Sequence, residues 1–354
     1  MEIRMRITYL SLLIVSLNFI IVPKTYGCCC DSTDQLIDQI AHLINEHYVI
    51  QENSSLIVDQ LFNLRKSGKY DTLRAYQLAE ALTIDLKEIS RDQHFRIHFS
   101  EERIKAAKEP SSEGLQSKLA DDWKRTELEN NYGFSRTELL EGNIGYLKID
   151  EFTNPDYSED TFVRCVDKIK RADGLIIDLN DCIGGSGSMV WLIASYFFDN
   201  KAATHLITYN CPSENIDISI MTRKRIKGSR LANIPIYILI SNQTYSSGES
   251  FSYALKHLNR ATLVGDTTKG GAHSWKEFNL NDFMSIQIPT CRFTHPTTGA
   301  NWEGEGVIPD LLASVKDSKT VAYIELIKLM QSLTKKESTD YSYLLKQLQT
   351  ELKE

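Results

Sequence analysis

Apolar residues recur every three to four positions along three consecutive segments near the N-terminus. This spacing is typical of amphipathic helices and predicts them over Thr33–His47, Ser54–Ser67 and Leu73–Ile89. Polar and apolar residues then alternate over Asp92–Phe99, which predicts a strand that carries His94. Residues 31–100 are therefore expected to form a small helical domain, a three-helix bundle that ends in this strand.

From Gly142 onward the chain alternates between short apolar runs and longer amphipathic segments. The runs predict strands over Ile144–Ile149, Leu175–Leu179, Ala203–Tyr209, Ile234–Ile240 and Thr262–Gly265. The segments between them predict helices over Ser158–Arg171, Met189–Phe198 and Ser247–Leu258. Strands that alternate with helices of this length indicate right-handed βαβ units and an α/β layer.

Three further segments complete the predicted organisation. Residues 142–315 form the α/β domain, with extra β structure over Phe283–Ile288 and Thr290–Phe293. The charged stretch 101–141, which contains Pro110, is expected to be a helical or loose connector. Residues 316–354 are expected to form C-terminal helices.

Composition narrows the class of protein. With 354 residues, 42% of them hydrophobic, the chain can bury a sizeable core. A net charge of -7 without a long basic run argues against a nucleic-acid partner. Arg4 and Arg6 precede the apolar run Tyr9–Val22, which is short for a membrane span. We interpret residues 1–27 as a signal peptide and expect export, with an uncleaved anchor as the alternative.

The seven cysteines show no metal-binding spacing, so a zinc site is not expected. Three of them are consecutive, Cys28–Cys30, and follow the presumed cleavage region. The stretch from Thr25 to Cys28 loosely resembles a bacterial lipoprotein signal, although Tyr26 fits poorly, so acylation of Cys28 and membrane anchoring stay open. Cys165, Cys182, Cys211 and Cys291 are scattered, and their pairing is undecided.

The run Ile234–Ile240 is followed by a polar corner and then by a predicted helix whose first turn carries Ser246, Ser247 and Glu249. A sharp strand-to-helix turn presents a serine where unpaired N–H groups and the helix dipole favour a developing anion. This is the arrangement of a nucleophilic serine. The structural alternative is a helix cap, with Glu249 completing a capping box from Ser246.

Three other features admit both a catalytic and a structural interpretation. The glycine-rich loop Asp178–Gly187 follows a predicted buried strand and could bind an anion through its N–H groups, or be a simple turn. His94 could be a catalytic base or a structural histidine. Glu303 lies in an acidic, glycine-rich loop that could equally be a solvated turn.

In this order along the chain, these features resemble the C-terminal processing peptidase (tail-specific protease) superfamily, serine peptidase family S41. The resemblance covers about residues 33–315 and is nearest the branch of the tricorn protease core and interphotoreceptor retinoid-binding protein. The matching motifs are Asp92-Gln93-His94, Asn143–Leu147, Asp178–Gly185, Ser246–Glu249, Gly265–Gly271 and Pro296–Asp310. The resemblance implies a crotonase-like (ClpP/crotonase-type) α/β catalytic domain behind a helical bundle.

Family members use either a Ser–Lys dyad or serine, histidine and glutamate. The position of the dyad lysine is occupied here by Gly271. Ser246, His94 and Glu303 match the second version, which implies a Ser-His-Glu acyl-enzyme mechanism. Such a mechanism requires no metal and no organic cofactor. Glu305 is the alternative third member. Gln93 stands where tricorn has a serine that helps to orient the histidine, so its orienting role is in doubt.

The resemblance also implies where the oxyanion would bind and what the chain would act on. Backbone N–H groups of Gly184 or Gly185 and of Ser247 would hold the tetrahedral oxyanion. The expected partner is a peptide or protein substrate. The stretch between His94 and Asn143 is too short for a PDZ module, so selectivity for C-termini is not implied. A noncatalytic carrier of hydrophobic ligands and a degenerate peptide-binding scaffold are the alternatives.

Overall fold

A computed structural model of the chain describes residues 32–100, 126, 128–334 and 339–353. The predicted signal peptide and Cys28–Cys30 lie outside the described residues, as do residues 101–125 of the predicted connector. Among the described helices, none combines the length and apolar character that a membrane span requires.

Three helices form the N-terminal helical region: α1 (Thr33–His47), α2 (Gln51–Lys66) and α3 (Ala75–Ser90). α1 begins at a capping box between Ser32 and Gln35, which satisfies two otherwise unpaired N–H groups. α3 ends at Arg91, whose left-handed φ of 58° turns the chain toward the short strand β1 (Arg96–Phe99). The helical periodicity of the sequence is thus confirmed for all three helices.

The α/β domain follows. Its strands in chain order are β2 (Arg136–Leu140), β3 (Ile144–Lys148), β4 (Gly174–Asp178), β5 (His205–Cys211), β6 (Ile216–Met221), β7 (Ile236–Ile240), β8 (Thr262–Gly265), β9 (His273–Asn279), β10 (Met284–Thr294) and β11 (Leu311–Leu312). Its helices are α4 (Pro155–Ile169), α5 (Gly187–Ser195), α6 (Ser247–His257), α7 (Val315–Thr334) and α8 (Thr339–Glu351).

The central sheet has the strand order β11-β8-β7-β4-β3-β2 and is parallel except for the β2–β3 pair. Every residue of β4 and β7 is buried, and successive residues of a strand face opposite sides, so both strands are covered on both faces. Ile177 and Ile238 pack into the larger core with α5 and α6, whereas Ile176 and Leu239 pack against α7. The carboxyl ends of β4 and β7 consequently meet at one edge of the layer.

A second, antiparallel sheet has the order β1-β10-β5-β6, and β9 also pairs with β10. The N-terminal helices pack on it through Ile286 and Ile288 of β10. A disulfide joins Cys211 to Cys291 across β5 and β10, with a Cα–Cα distance of 4.2 Å. Because β1 belongs to this sheet, the segment just before it is fixed against the α/β domain.

The sequence predictions need four corrections. His94 lies in a turn before β1, because the strand begins only at Arg96. The connector contains β2, a strand whose polar residues reflect its place at the sheet edge. Strands β6, β9 and β11 were not predicted, although Ile216, Ile218 and Ile220 of β6 do alternate with polar residues; β9 lacks such a period and β11 has only two residues. The two predicted strands over 283–293 form one strand, whose register against β9 shifts at a bulge after Pro289.

Candidate active site

Ser246 sits at a strained turn between β7 and α6. It has φ 50° and ψ -111°, a backbone conformation that non-glycine residues rarely adopt. The turn is fastened to the end of β4, since Thr244 Oγ1 donates to the carbonyl of Leu179 and the N–H of Tyr245 donates to that of Cys182. Such strain persists only where the surroundings enforce it, and it clusters at functional sites. The predicted strand-turn-serine-helix arrangement is present.

Glu249 holds this turn in place from inside the protein. Its fully buried carboxylate accepts hydrogen bonds from the N–H groups of Ser246, Gly270 and Gly271 and from the hydroxyl of Thr268. Burial raises the pKa of Glu249, and the four donors oppose that shift. The predicted capping residue therefore does more than cap α6, because it also fixes the 268–271 loop against Ser246.

The glycine-rich loop passes directly beside the serine. Gly184 has φ 108°, and a side-chain carbon there would lie 2.9 Å from Cβ of Ser246 and 3.4 Å from N of Ser247. Gly185 has φ 118°, and a side chain there would overlap the backbone of Phe152. The hydroxyl of Ser247 donates to the carbonyl of Gly185 at 2.7 Å. The three predicted oxyanion-binding residues thus surround Ser246, and only glycine fits at two of them.

His94 is buried and lies against the residue that precedes the serine. Its ring stacks on that of Tyr245, with the centroids 5.2 Å apart and the planes at 23°. Among the described residues, neither ring nitrogen of His94 has a hydrogen-bond partner, so no hydrogen bond joins it to Ser246 or to Gln93. Gln93 lies exposed in the wall of an adjacent cleft. The structure thus places His94 beside the turn that carries Ser246 without a hydrogen bond between the two residues.

Gly271, which the family resemblance places at the position of the dyad lysine, lies against both rings. A side-chain carbon at this position would overlap the ring of Tyr245 and lie 2.9 Å from Cε1 of His94. The positions of these two rings therefore leave room at 271 for glycine alone.

Asp92 is a buried carboxylate between two histidines. Its Oδ1 accepts the backbone N–H of His94 at 3.0 Å and lies 3.4 Å from His94 Nδ1. Its Oδ2 lies 2.6 Å from Nδ1 of His273. Burial favours the protonated acid, but the interactions with His273 and His94 outweigh it and hold the pKa of Asp92 well below its ordinary value. Asp92 is therefore ionised at neutral pH and lies on the Nδ1 side of His94.

Glu303 belongs to the same cluster, in the opposite protonation state. Its carboxyl accepts the N–H of Ala272 and lies 3.5 Å from Nδ1 of His273, while Oε1 is buried without a partner. Burial and the charge of Asp92 raise the pKa of Glu303 to about 9. Glu305, the alternative third member, is exposed. The register that favours Glu303 over Glu305 thus places Glu303 near His94, but as a neutral acid at neutral pH.

Asp92, His94 and Glu303 are residues of the types that bind metal ions. Ligand atoms of Asp92, His94 and Glu303 all lie within 4.8 Å of one another. A metal would require both carboxyls to be ionised, whereas Glu303 favours its proton and one oxygen of Asp92 is committed to His273. The residues therefore suit proton transfer better than metal binding. Cys182 in the glycine loop is no competing nucleophile, because burial raises the pKa of its thiol to about 12.

The sequence analysis did not single out two residues of this cluster, Asp92 and His273. Asp92 had a local signal, because an aspartate two residues before another residue can accept that residue's N–H in an Asx turn. His273 had none, since it meets Asp92 across 181 positions of sequence. Only the pairing of β9 and β1 with β10 brings these two residues together.

The raised pKa of Glu303 leads to a prediction about stability. A carboxyl whose pKa is higher in the folded state than the ordinary 4.5 stabilises the fold at low pH. That contribution is lost as the pH rises from about 4.5 toward about 9. Glu303→Gln stays neutral, so we expect its melting temperature, relative to wild type, to rise by about 5 °C between pH 5 and pH 9. Thermal melts at both pH values measure this. Glu305→Gln is the exposed control, and a constant difference between Glu303→Gln and wild type would contradict a raised pKa.

The fold and site together place the chain in a structural class. It is a mixed α/β protein of the crotonase-like type with an N-terminal helical region, and its strained serine, glycine loop and buried histidine lie at the carboxyl edge of the parallel strands. Comparison with known proteins agrees. Residues 143–313 match the model of Peptidase family S41, and residues 31–129 match the N-terminal domain of Peptidase_S41 in eukaryotic IRBP.

The chain therefore belongs to peptidase family S41, with an IRBP-type N-terminal domain. It is 24% identical over 201 residues to the carboxy-terminal processing protease CtpA of Bacillus subtilis, which covers 55% of this chain and 40% of that protein. The structure of a lipoprotein from Streptococcus agalactiae has a TM-score of 0.55 at 17% identity, covering 85% of this chain and 99% of that one. The photosystem II D1 C-terminal processing protease has a TM-score of 0.50 at 16% identity, over 80% and 94%.

Proposed function

We propose that this chain is a serine peptidase that cleaves peptide bonds through an acyl-enzyme on Ser246. The observation that carries the proposal is the strained conformation of Ser246 at the start of α6, directly against Gly184 and beside the ring pair of Tyr245 and His94. A ligand carrier has no use for a serine held in this conformation. Membership of family S41, and the similarity to a carboxy-terminal processing protease, support the same chemistry.

In the proposed reaction, Ser246 Oγ attacks the carbonyl carbon of the scissile bond while His94 accepts the hydroxyl proton. The negative oxygen of the tetrahedral intermediate is held by the N–H groups of Gly185 and Ser247 at the positive end of α6. The intermediate then expels the amine, which takes the proton from His94. Water attacks the resulting ester by the reverse proton transfers and releases the acid and the free serine.

We further propose that Asp92 is the carboxylate that supports His94 during this cycle. Asp92 lies 3.4 Å from Nδ1 of His94, and its depressed pKa keeps it negative when the imidazolium forms. Glu303, the third member that the resemblance implies, carries a proton at neutral pH and would act as a neutral neighbour. His273 holds the other oxygen of Asp92 and so fixes the direction of its carboxylate.

Export is part of the proposal. The disulfide between Cys211 and Cys291 supports an oxidising compartment, because such bonds are rare in the reducing cytosol. The signal-peptide pattern of residues 1–27 points the same way. One structural neighbour is a lipoprotein, which keeps acylation of Cys28 as a candidate anchor. Mass spectrometry of the N-terminus of the protein from its native host would reveal both the cleavage site and any lipid.

The proposed function is tested by covalent labelling. A fluorophosphonate reacts with an activated serine, whose oxygen displaces fluoride from phosphorus, and the label is located by tandem mass spectrometry. We expect labelling of the folded protein on Ser246 and none after heat denaturation. Hydrolysis of a diverse peptide library, lost on labelling, would complete the demonstration. Folded protein that reacts at no serine, or only at one remote from Ser246, would refute the proposal.

A further inference from the structure

A cleft of about 420 Å³ opens beside His94 and Tyr245. Its walls come from α3, the turn before β1, the 266–272 loop, β9 and β10. The lining residues are Lys87, Gln93, His94, Arg96, Tyr245, Lys269, Trp275 and Gln287. Tyr245 lines the cleft and directly precedes Ser246 in sequence, so the cleft lies beside the turn that carries the proposed nucleophile.

The lining of the cleft is positively charged, although the whole chain has a net negative charge. The protein carries a net charge of -7, yet the lining includes three cations, Lys87, Arg96 and Lys269, and among the described residues that line the cleft there is no carboxylate. Within the described part of the chain, none of the three forms an ion pair. Exposed lysines and arginines elsewhere in the protein do so, as in the pairs of Lys276 with Glu214 and Lys227 with Asp160. The positive charge of the cleft is therefore not balanced within its walls.

The cations act on one another. Burial and the nearby charge of Arg96 lower the pKa of Lys87, which shows that a second positive charge there is unfavourable, although Asp92 partly offsets the effect. An anion in the cleft would relieve this repulsion. The cations differ in exposure, with Lys87 half-buried and Arg96 and Lys269 exposed, so a ligand can reach them from solvent.

The remaining walls suit a peptide. Trp275 is 43% exposed, although it is the bulkiest side chain of the lining. Lys269 Nζ lies 5.8 Å from the centroid of the Tyr245 ring, so a cation and an aromatic surface adjoin. Gln93 and Gln287 add amide groups that can pair with a peptide backbone. The cleft thus offers charge, flat apolar surface and hydrogen bonding together.

We propose that this cleft is a substrate subsite for a carboxylate, held by Lys87, Arg96 and Lys269 next to the scissile bond. The inference rests on the proposed peptidase function and adds the substrate class, which is peptides with an acidic group close to the cleaved bond. The carboxylate comes either from an Asp or Glu side chain or from the end of the substrate chain.

Cleavage of matched peptides tests the proposal. The probes are alanine-leucine decapeptides that carry one Glu or one Gln at each central position in turn, with a free or an amidated C-terminus. We expect kcat/KM for the best Glu peptide to exceed that of its Gln partner about tenfold. Each partly exposed ion pair contributes about a twofold increase, and three such pairs act together. The preference should shrink with added salt. A preference that follows the free terminus rather than Glu identifies the chain end as the source.

Charge-neutral variants supply the second arm. Arg96→Gln combined with Lys269→Gln should reduce the preference to about threefold or less, because two of the three attractions are lost. Lys66→Gln removes one positive charge from an exposed position on α2, outside the cleft, and should keep the full preference. An unchanged preference in the double variant would overturn the assignment to these residues.

Binding separates this inference from the proposed function. Isothermal titration of the same peptides into Ser246→Ala measures the subsite without any need for cleavage. Tighter binding of a carboxylate peptide supports the subsite even if wild type cleaves nothing. Cleavage of all four kinds of peptide, Glu or Gln with a free or an amidated terminus, at the same rate refutes the subsite and leaves the peptidase standing. Equal binding of all the peptides, or no binding of any, also refutes it.

Discussion

Replacing Ser246 by alanine is expected to lower kcat by roughly 10⁴-fold or more, as is replacing His94 by alanine. In the proposed mechanism the two groups act in one step, since His94 would have a role only when Ser246 Oγ has a proton to give. The double variant Ser246→Ala/His94→Ala should therefore be no slower than either single variant. The residual rate would come from substrate positioning and from the N–H groups of Gly185 and Ser247.

Single-turnover assays on the cleaved library peptides measure these rates. Ser219→Ala, on the exposed strand β6, is the control for a serine-to-alanine change away from the site, and it should match wild type. Thermal melts confirm that each variant is folded. Losses that add in the double variant would mean that Ser246 and His94 contribute independently, which a nucleophile and its base do not.

Replacing Asp92 by asparagine is expected to lower kcat by about 10³–10⁴-fold, with KM changed little. Asparagine has nearly the same shape, but it carries no charge to stabilise the imidazolium and can present an N–H group to His94. The effect should appear in kcat because the charge interaction develops only in the transition state. Glu303→Gln, which mimics the protonated acid already present at neutral pH, should cost less than about tenfold.

Steady-state kinetics at pH 7 on these two variants decide between the carboxyls. The matched pair controls for burial, since Asp92 and Glu303 lie in the same cluster and each change replaces an acid by its amide. A loss in Glu303→Gln as large as that in Asp92→Asn would assign the supporting role to Glu303, as the family resemblance implies. Asp92→Asn must also melt as a folded protein, because its carboxylate is fully buried between two histidines.

Sequence reasoning succeeded where the signal was local. The period of apolar residues predicted α1 with the bounds that the structure has. The break after Ile240 predicted the turn that carries Ser246, because a buried strand, a polar corner and a serine at a helix start are all visible within one short stretch. The sequence also singled out Gly184 and Gly185, and both have a positive φ, a backbone conformation that few other residues adopt.

What could not be predicted depends on distant parts of the chain. A simple count of acids would make both Asp92 and Glu303 negative at neutral pH, whereas Asp92 is ionised and Glu303 is protonated. Burial and the contacts with His273 set these two states, and only tertiary packing supplies them. The exposed strand β9 has polar residues on both faces, so its sequence shows no strand period. In β6, by contrast, isoleucines alternate with polar residues, and that local signal was overlooked. The cleft cations come from three separate elements, so their convergence has no counterpart in any single segment.

The close approach at Gly271 limits which residue this position can hold. A side-chain carbon there would overlap the ring of Tyr245 and lie 2.9 Å from Cε1 of His94. Both rings therefore have to move before any residue larger than glycine fits. Position 271 thus links three parts of the chain that are far apart in sequence, because a larger residue there requires smaller or displaced side chains at 94 and 245.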